Sequence, residues 1–389
     1  MTTQLDTQAL ISLLKEALPA SEGPIALHEP LFKGNEWEYV KKCLDTGWVS
    51  SVGAYVNQFE EMLSKYTGVN HAIAVVNGTA ALHMCLHLVG VARNDEVIIP
   101  SLTFVATANA ISYCGAIPLF CDSEERTLGI DAEKLNDFLL ENAEIRGNAC
   151  FNRNTGRRIA AIMPMHTFGH PVNIDALLLV SDKWNLPLVE DAAESLGSFY
   201  KGRHTGGFGK ISGLSFNGNK IITTGGGGAI LTNDPELARK AKHLTTTARV
   251  PHQWSFMHDE IGYNYRLPNI NAALGCAQME SLPEYVAKKR ALAQRYKTVL
   301  AGFKGVCFFR EPADTQSNYW LNTILLDAPD ITQRDDLLEK LNEAGLMTRP
   351  AWTLLHKLPI FSDCPRMDLS VAESLERRIL NIPSSVRLG

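Results

Sequence analysis

The sequence predicts an α/β protein with two parts: a large domain over residues 1–250, built on a mostly parallel sheet of seven strands, and a smaller α+β domain over 251–389. Three observations carry that expectation. Between about residues 70 and 235, short apolar runs alternate with stretches of helical periodicity. The runs are apolar throughout rather than at every second residue, as strands are when helices cover both faces of a parallel sheet. Beyond Asp234 the pattern changes to one long helical stretch followed by differently spaced strands and helices.

In chain order, "HAIAVV" (71–76) is the first strand and leads into the helix "TAALHMCLHLV" (79–89). "EVIIP" (96–100) leads in the same way into "FVATANAISYC" (104–114). Strands follow at "IPLFCD" (117–122), "IAAIMPMH" (159–166), "LPLVEDAA" (186–193), "ISGLSF" (211–216) and "GAILTN" (228–233), which makes seven. After a helix near 268–300, "NYWLNTILL" (318–326) reads as a strand of a second sheet, and "TQRDDLLEKLNEAG" (332–345) and "SLERRIL" (374–380) as helices.

Composition narrows the function classes. A net charge of −5 with 20% charged residues gives no basic footprint for nucleic acid or an anionic membrane. No apolar run approaches the ~20 residues of a membrane span, and the N-terminal "MTTQLDTQALISLLKEAL" carries Asp6, Lys15 and Glu16 through an amphipathic pattern unlike a signal peptide. The eight cysteines show no CxxC spacing, and free thiols in the cytoplasm are expected.

In parallel α/β sheets the ligand site lies beyond the carboxyl ends of the strands, and four groups of residues stand there. "NGTAALH" (77–83) runs through Gly78 and Thr79 into a helix whose N-terminus suits an anion; Gly-Thr before a helix is also an ordinary turn and cap. "LVEDAAES" (188–195) ends a strand on Asp191, a carboxylate that needs a cation or strong donors, or else serves as a cap or buried ion pair. "SFNGNK" delivers Ser215 and Lys220 just before four glycines; a lone lysine is most often a solvated charge, whereas one held at a sheet edge can form a Schiff base. "GYNYRLPNINAALGCAQME" (262–280) places Asn264 and Arg266 before a small-residue helix. Taken together they offer pyridoxal 5′-phosphate a phosphate cup (Thr79, Ser215), an anion for the ring nitrogen (Asp191), an amine for the aldehyde (Lys220) and an aromatic to stack (Phe104, in "SLTFVATANA").

In these motifs, taken in order with "GWVSSVGAYVNQFEEMLSKYTGVNHAIAVV", the sequence resembles the DegT/StrS sugar-nucleotide aminotransferases from about residue 25 to its end. The resemblance implies a fold-type I, aspartate-aminotransferase-like large domain. It implies that Lys220 carries the cofactor, that Asp191 faces its ring nitrogen and that Phe104 stacks on it. Gly78, Thr79, Ala80 and Ser215 would form the phosphate cup. Glu194 stands where relatives often have His or Gln facing the phenolic oxygen, and Asn264 matches a residue reaching the phosphate from a neighbouring subunit, hence a homodimer with shared sites. Gly226 replaces the glutamate of the commoner "GEGG". With "HTFGHPVNID" (166–175) and "TRPAWTLLHKLP" (348–359), that change resembles the branch aminating UDP-linked 4-keto-6-deoxy-2-acetamido sugars. The implied reaction moves an amino group, from L-glutamate as the expected donor, to that keto sugar through pyridoxamine phosphate.

His166, Arg266, Tyr319, Trp352 and His356 are the substrate-binding candidates, with Arg249, Arg349 and Trp320 as further choices among residues that could equally be packing or surface charge. His83 and His87, four apart on a helix, do not suffice for zinc, and no metal is expected. Two rival readings remain on the same fold. A pyridoxamine-dependent dehydratase of this type has histidine where this chain has Lys220, and a non-catalytic regulator would not need Asp191.

Overall fold

The computed structural model describes residues 5–389; the first four residues of the amphipathic N-terminal stretch lie outside the described residues. The seven expected strands are present as β1 (His71–Val75), β2 (Glu96–Pro100), β3 (Ile117–Cys121), β4 (Arg158–Ile162), β5 (Val189–Asp191), β6 (Ile211–Ser215) and β7 (Gly228–Thr232). Two ladders, β1-β7-β6-β5 and β4-β2-β3, are joined by parallel bridges from Ile162 to Leu188 and from Met165 to Asp191. β7 runs antiparallel to both neighbours, while β6–β5, β2–β3 and β2–β4 are parallel. Burial explains the continuous apolar runs, since all five residues of β2 and of β7 are buried. A hairpin, Ala143–Arg146 with Ala149–Asn152, adds antiparallel strands to the start of β4. The sequence reading missed it because its residues are half-exposed and mixed in polarity.

The second sheet comprises β8 (Val306–Phe308), β9 (Asn322–Leu326), β10 (Arg349–Pro350) and β11 (Ile379–Ile382), antiparallel throughout in the order β8-β9-β11-β10. "SLERRIL", expected as one helix, divides here: the helix Ser370–Glu376 ends, and Ile379 and Leu380 enter β11 because the centre of this sheet buries them completely. β9 begins only at Asn322, since Tyr319 holds a left-handed φ of 47° that breaks the extended run. The 31-residue helix Asn269–Val299 serves both parts. Cys276 and Leu282 pack with Phe59 and Phe216 above the large sheet, and Leu292 and Tyr296 join the second core. The helix Thr7–Glu16, grouped by sequence with residues 1–250, puts Leu10, Ile11 and Leu14 into that second core against Ile324 and Leu380. Its apolar face is satisfied there rather than on the large sheet. Among the described residues no helix is long and apolar enough to cross a membrane.

Candidate active site

The carboxyl ends of β1, β2, β5 and β6 open on a cavity of about 230 Å³. Asn77, Gly78 and Thr79 line one side, where the helix Gly78–Leu88 begins. Asn77 caps that helix by accepting the Ala80 amide at 2.8 Å. That capping bond uses the Ala80 N–H assigned by sequence to the phosphate cup, and Ala80 does not reach the cavity wall, whereas Thr79 and Ser215 do. A Cβ on Gly78 would lie 2.7 Å from that of Ser215, so only glycine lets the helix start come so close to β6. A helix N-terminus flanked by two hydroxyls fits a phosphate group.

Across the cavity, Asp191 is 2% exposed. Its Oδ2 accepts a hydrogen bond from Thr107 Oγ at 2.7 Å and its Oδ1 one from the Ala193 amide at 3.1 Å. Burial holds its carboxyl above the ordinary range. Such a group gains most from a cation in the cavity, and a protonated ring nitrogen fits it. Alternation along β5 sends Glu190 to the other face, where it accepts the Gly206, Phe208 and Gly209 amides at 2.7, 2.7 and 2.6 Å. Burial acts to raise the Glu190 carboxyl, but His166 and these amides more than offset it and hold it below the ordinary range. His166, a substrate candidate by sequence, is fully buried. It accepts the Val172 amide on Nδ1 at 3.3 Å and meets Glu190 through Nε2 at 3.1 Å, so it braces this network and stands outside the cavity.

Lys220 lies on the cavity wall with its side chain 13% exposed. Nζ donates to Glu194 Oε1 at 3.2 Å and sits 4.0 Å from the centre of the Trp320 ring. The glycine run beside it is demanded locally: Gly225 has φ +80°, and a Cβ on Gly228 would lie 2.6 Å from the Asn77 backbone. Glu194 is buried, accepts the Phe168 amide at 2.9 Å, and has its carboxyl pushed up to about 7 by burial. A carboxyl raised in this way stabilises the fold most below its ordinary value of 4.5, and that contribution is lost as pH rises through about 7. Between about pH 5 and pH 8 the cofactor-free protein should therefore lose on the order of 3 kcal/mol of stability relative to its Glu194→Gln variant, which lacks this titrating group. Thermal melts of both proteins across this range check it.

Phe104 caps the helix Val105–Tyr113, is 48% exposed on the cavity and meets Trp352 edge to face at 6.3 Å. Trp320 and Trp352 complete the wall. The other candidates lie elsewhere, each with its own partners. Arg266 is 8% exposed and bonds Glu60 at 2.7 Å and the Ala74 carbonyl at 3.1 Å, a buried pair that ties its loop to β1. Tyr319 stacks on Phe308 at 6.2 Å, and its hydroxyl accepts the Glu311 amide at 3.2 Å. His356 binds Ser101 Oγ at 2.7 Å and Glu373 at 3.4 Å. Arg249 covers Phe256, and Arg349 donates to the Thr348 carbonyl. Asn264 is exposed, bridges backbone to backbone with Thr246, and does not line the cavity of its own chain. The sequence reading missed Thr107, Met165, Asn217 and Asn219, all on the wall. Thr107 lies one helical turn beyond Phe104, a spacing that could have shown it. Among the described residues no three His, Cys, Asp or Glu side chains gather as a metal site.

Residues 30–389 match the model of the DegT/DnrJ/EryC1/StrS aminotransferase family. The chain is 38% identical to a GDP-perosamine synthase of Caulobacter vibrioides over 94% of each chain. It is 40% identical to Bacillus subtilis EpsN, provisionally named a pyridoxal phosphate-dependent aminotransferase, over 92% of this chain and 90% of that one. Among solved structures, PseC of Helicobacter pylori, an aminotransferase involved in pseudoaminic acid biosynthesis, superposes with a TM-score of 0.85 at 25% identity, over 94% of this chain and 95% of PseC. The chain belongs to the DegT/DnrJ/EryC1/StrS family and is a pyridoxal phosphate-dependent aminotransferase.

Proposed function

We propose that this enzyme transfers an amino group from an amino acid, L-glutamate first among them, to the 4-keto group of a deoxy sugar linked to a nucleoside diphosphate. One observation carries the reading: a single lysine amine, that of Lys220, lies within hydrogen-bond reach of Glu194 on the cavity that buried Asp191 also lines. Gly78, Thr79 and Ser215 would hold the cofactor phosphate, Asp191 the ring nitrogen and Phe104 one ring face. Bound there, the cofactor supplies an electron sink for the carbon that gains or loses the amine.

Lys220 would be the base whose Nζ takes and holds the proton of the donor's α-carbon, and the same amine would serve the keto sugar in the opposite direction. Glu194 receives a hydrogen bond from Lys220 whenever that amine is free. Thr107 keeps Asp191 aimed at the cavity. Phe104, Trp352 and Trp320 limit water at the reacting atoms. The presence of Lys220 favours transamination over dehydration.

Two finer points belong to the same reading. A homodimer with shared sites is supported by exposed apolar residues at Trp37, Trp48 and Val52 and at Trp254, Phe256 and Ile261, and Asn264 would then reach the partner's phosphate site. As substrate, GDP-linked sugars come first because the named relatives include GDP-perosamine synthases. The UDP-linked 2-acetamido sugar expected from sequence comes second. A panel of GDP-, UDP- and dTDP-linked 4-keto sugars, assayed with L-glutamate for 2-oxoglutarate and amino sugar, tests the proposal. Amine transfer to at least one sugar supports it, and glutamate turnover with none of them refutes the sugar assignment.

A further inference from the structure

Lys289 lies on the long helix, fully buried, with two backbone carbonyls as its partners. Nζ donates to Trp320 O at 3.1 Å and to Ser384 O. Burial drives its amine well below the ordinary lysine range. Two of its N–H bonds are spent on these two carbonyls. Lys289 therefore works as a two-pronged bracket between the segment after β11 and the residue before Leu321.

The bracketed residue is pinned on three sides. The Trp320 amide donates to Asn318 Oδ1 at 2.7 Å, its carbonyl accepts from Lys289, and its indole N–H donates to the Asn219 carbonyl at 2.7 Å. Asn219 is next to Lys220, so the indole is tied to the loop that carries the transfer lysine. Its ring face lies 4.0 Å from Lys220 Nζ, with Glu194 Oε1 at 3.2 Å from the same nitrogen. Packing alone would bury a tryptophan without three hydrogen bonds. What the bonds fix is the place of the indole face, and an indole face attracts a cation.

We propose that Trp320 is a positioning residue for Lys220: its indole face and Glu194 hold the free lysine amine at the point from which it moves protons, and Lys289 fixes the indole there. The proposal rests on Lys220 as the transfer lysine.

Three variants test it. Trp320→Leu should lower kcat for the glutamate half-reaction about tenfold to a hundredfold, leave the KM for glutamate within about twofold, and enlarge the isotope effect of α-deuterated glutamate. Trp320→Phe keeps a flat aromatic face and should recover most of the rate. Lys289→Met should reproduce the direction of Trp320→Leu with the indole still present. In a crystal structure of cofactor-free Trp320→Leu, Lys220 Nζ should leave hydrogen-bond reach of Glu194. An unchanged kcat and isotope effect in Trp320→Leu, or a lysine still bonded to Glu194, overturns the proposal. If Trp320→Leu does not fold, Lys289→Met and Trp320→Phe decide: normal kinetics in the first, or a rate as low as that of Lys289→Met in the second, overturns it. An inactive Lys220→Ala enzyme beside a normal Trp320→Leu enzyme would refute this role for Trp320 and leave the role of Lys220 standing.

Discussion

Lys220→Ala should reduce turnover by about 10⁴-fold or more, because under the proposed function it removes both the covalent partner of the cofactor and the base that moves the proton. The geometry offers no substitute. Glu194 is the nearest acidic group, but a carboxyl cannot take the place of the amine that joins the aldehyde, no second lysine lines the cavity, and the indole over Lys220 has no basic atom. The cofactor should remain bound without a covalent link, since under the same proposal its phosphate, ring and ring-nitrogen contacts would come from other residues. Rapid mixing of the variant with L-glutamate would measure the loss directly. A half-reaction at the wild-type rate would show that another group moves the proton.

Asp191→Asn should slow the glutamate half-reaction by roughly 10²–10³-fold, the size expected when one aimed charge or donor is lost from a water-poor site. The asparagine keeps the shape of the side chain and can still bond Thr107 and the Ala193 amide. Burial already disfavours the carboxylate, so the cofactor-free variant should melt no lower than the wild type. A slow half-reaction with an unchanged melt assigns Asp191 to the chemistry. An unchanged rate would mean that the ring nitrogen does not depend on this carboxylate.

Most of the large sheet was legible because parallel strands are buried on both faces, and their sequences are apolar from end to end. The half-exposed hairpin at 143–152 has no such signal, and "SLERRIL" divides between helix and strand because the second sheet, not local propensity, decides where Ile379 goes. The centre of the site was legible for a related reason. Asp191 and Ser215 end β5 and β6, Lys220 stands in the turn after β6, and topology carries strand ends to one place. The substrate side was harder to read. His166, Arg266, Tyr319 and His356 are polar or aromatic residues in loops near chemistry, and their true partners, Glu190, Glu60, Phe308 and Ser101, are distant in sequence or hidden by strand alternation. Thr107 escaped assignment because its hydroxyl serves a partner distant in sequence, Asp191, and Trp320 was a candidate only for substrate, whereas its indole face lies over Lys220.

Borohydride reduction of the pyridoxal phosphate-loaded enzyme, followed by peptide mass spectrometry, tests the central claim most directly. The cofactor's mass should be found fixed on the peptide that contains Lys220, and pre-treatment with L-glutamate should prevent the labelling. Cofactor fixed on a different lysine, or on none, would contradict the account.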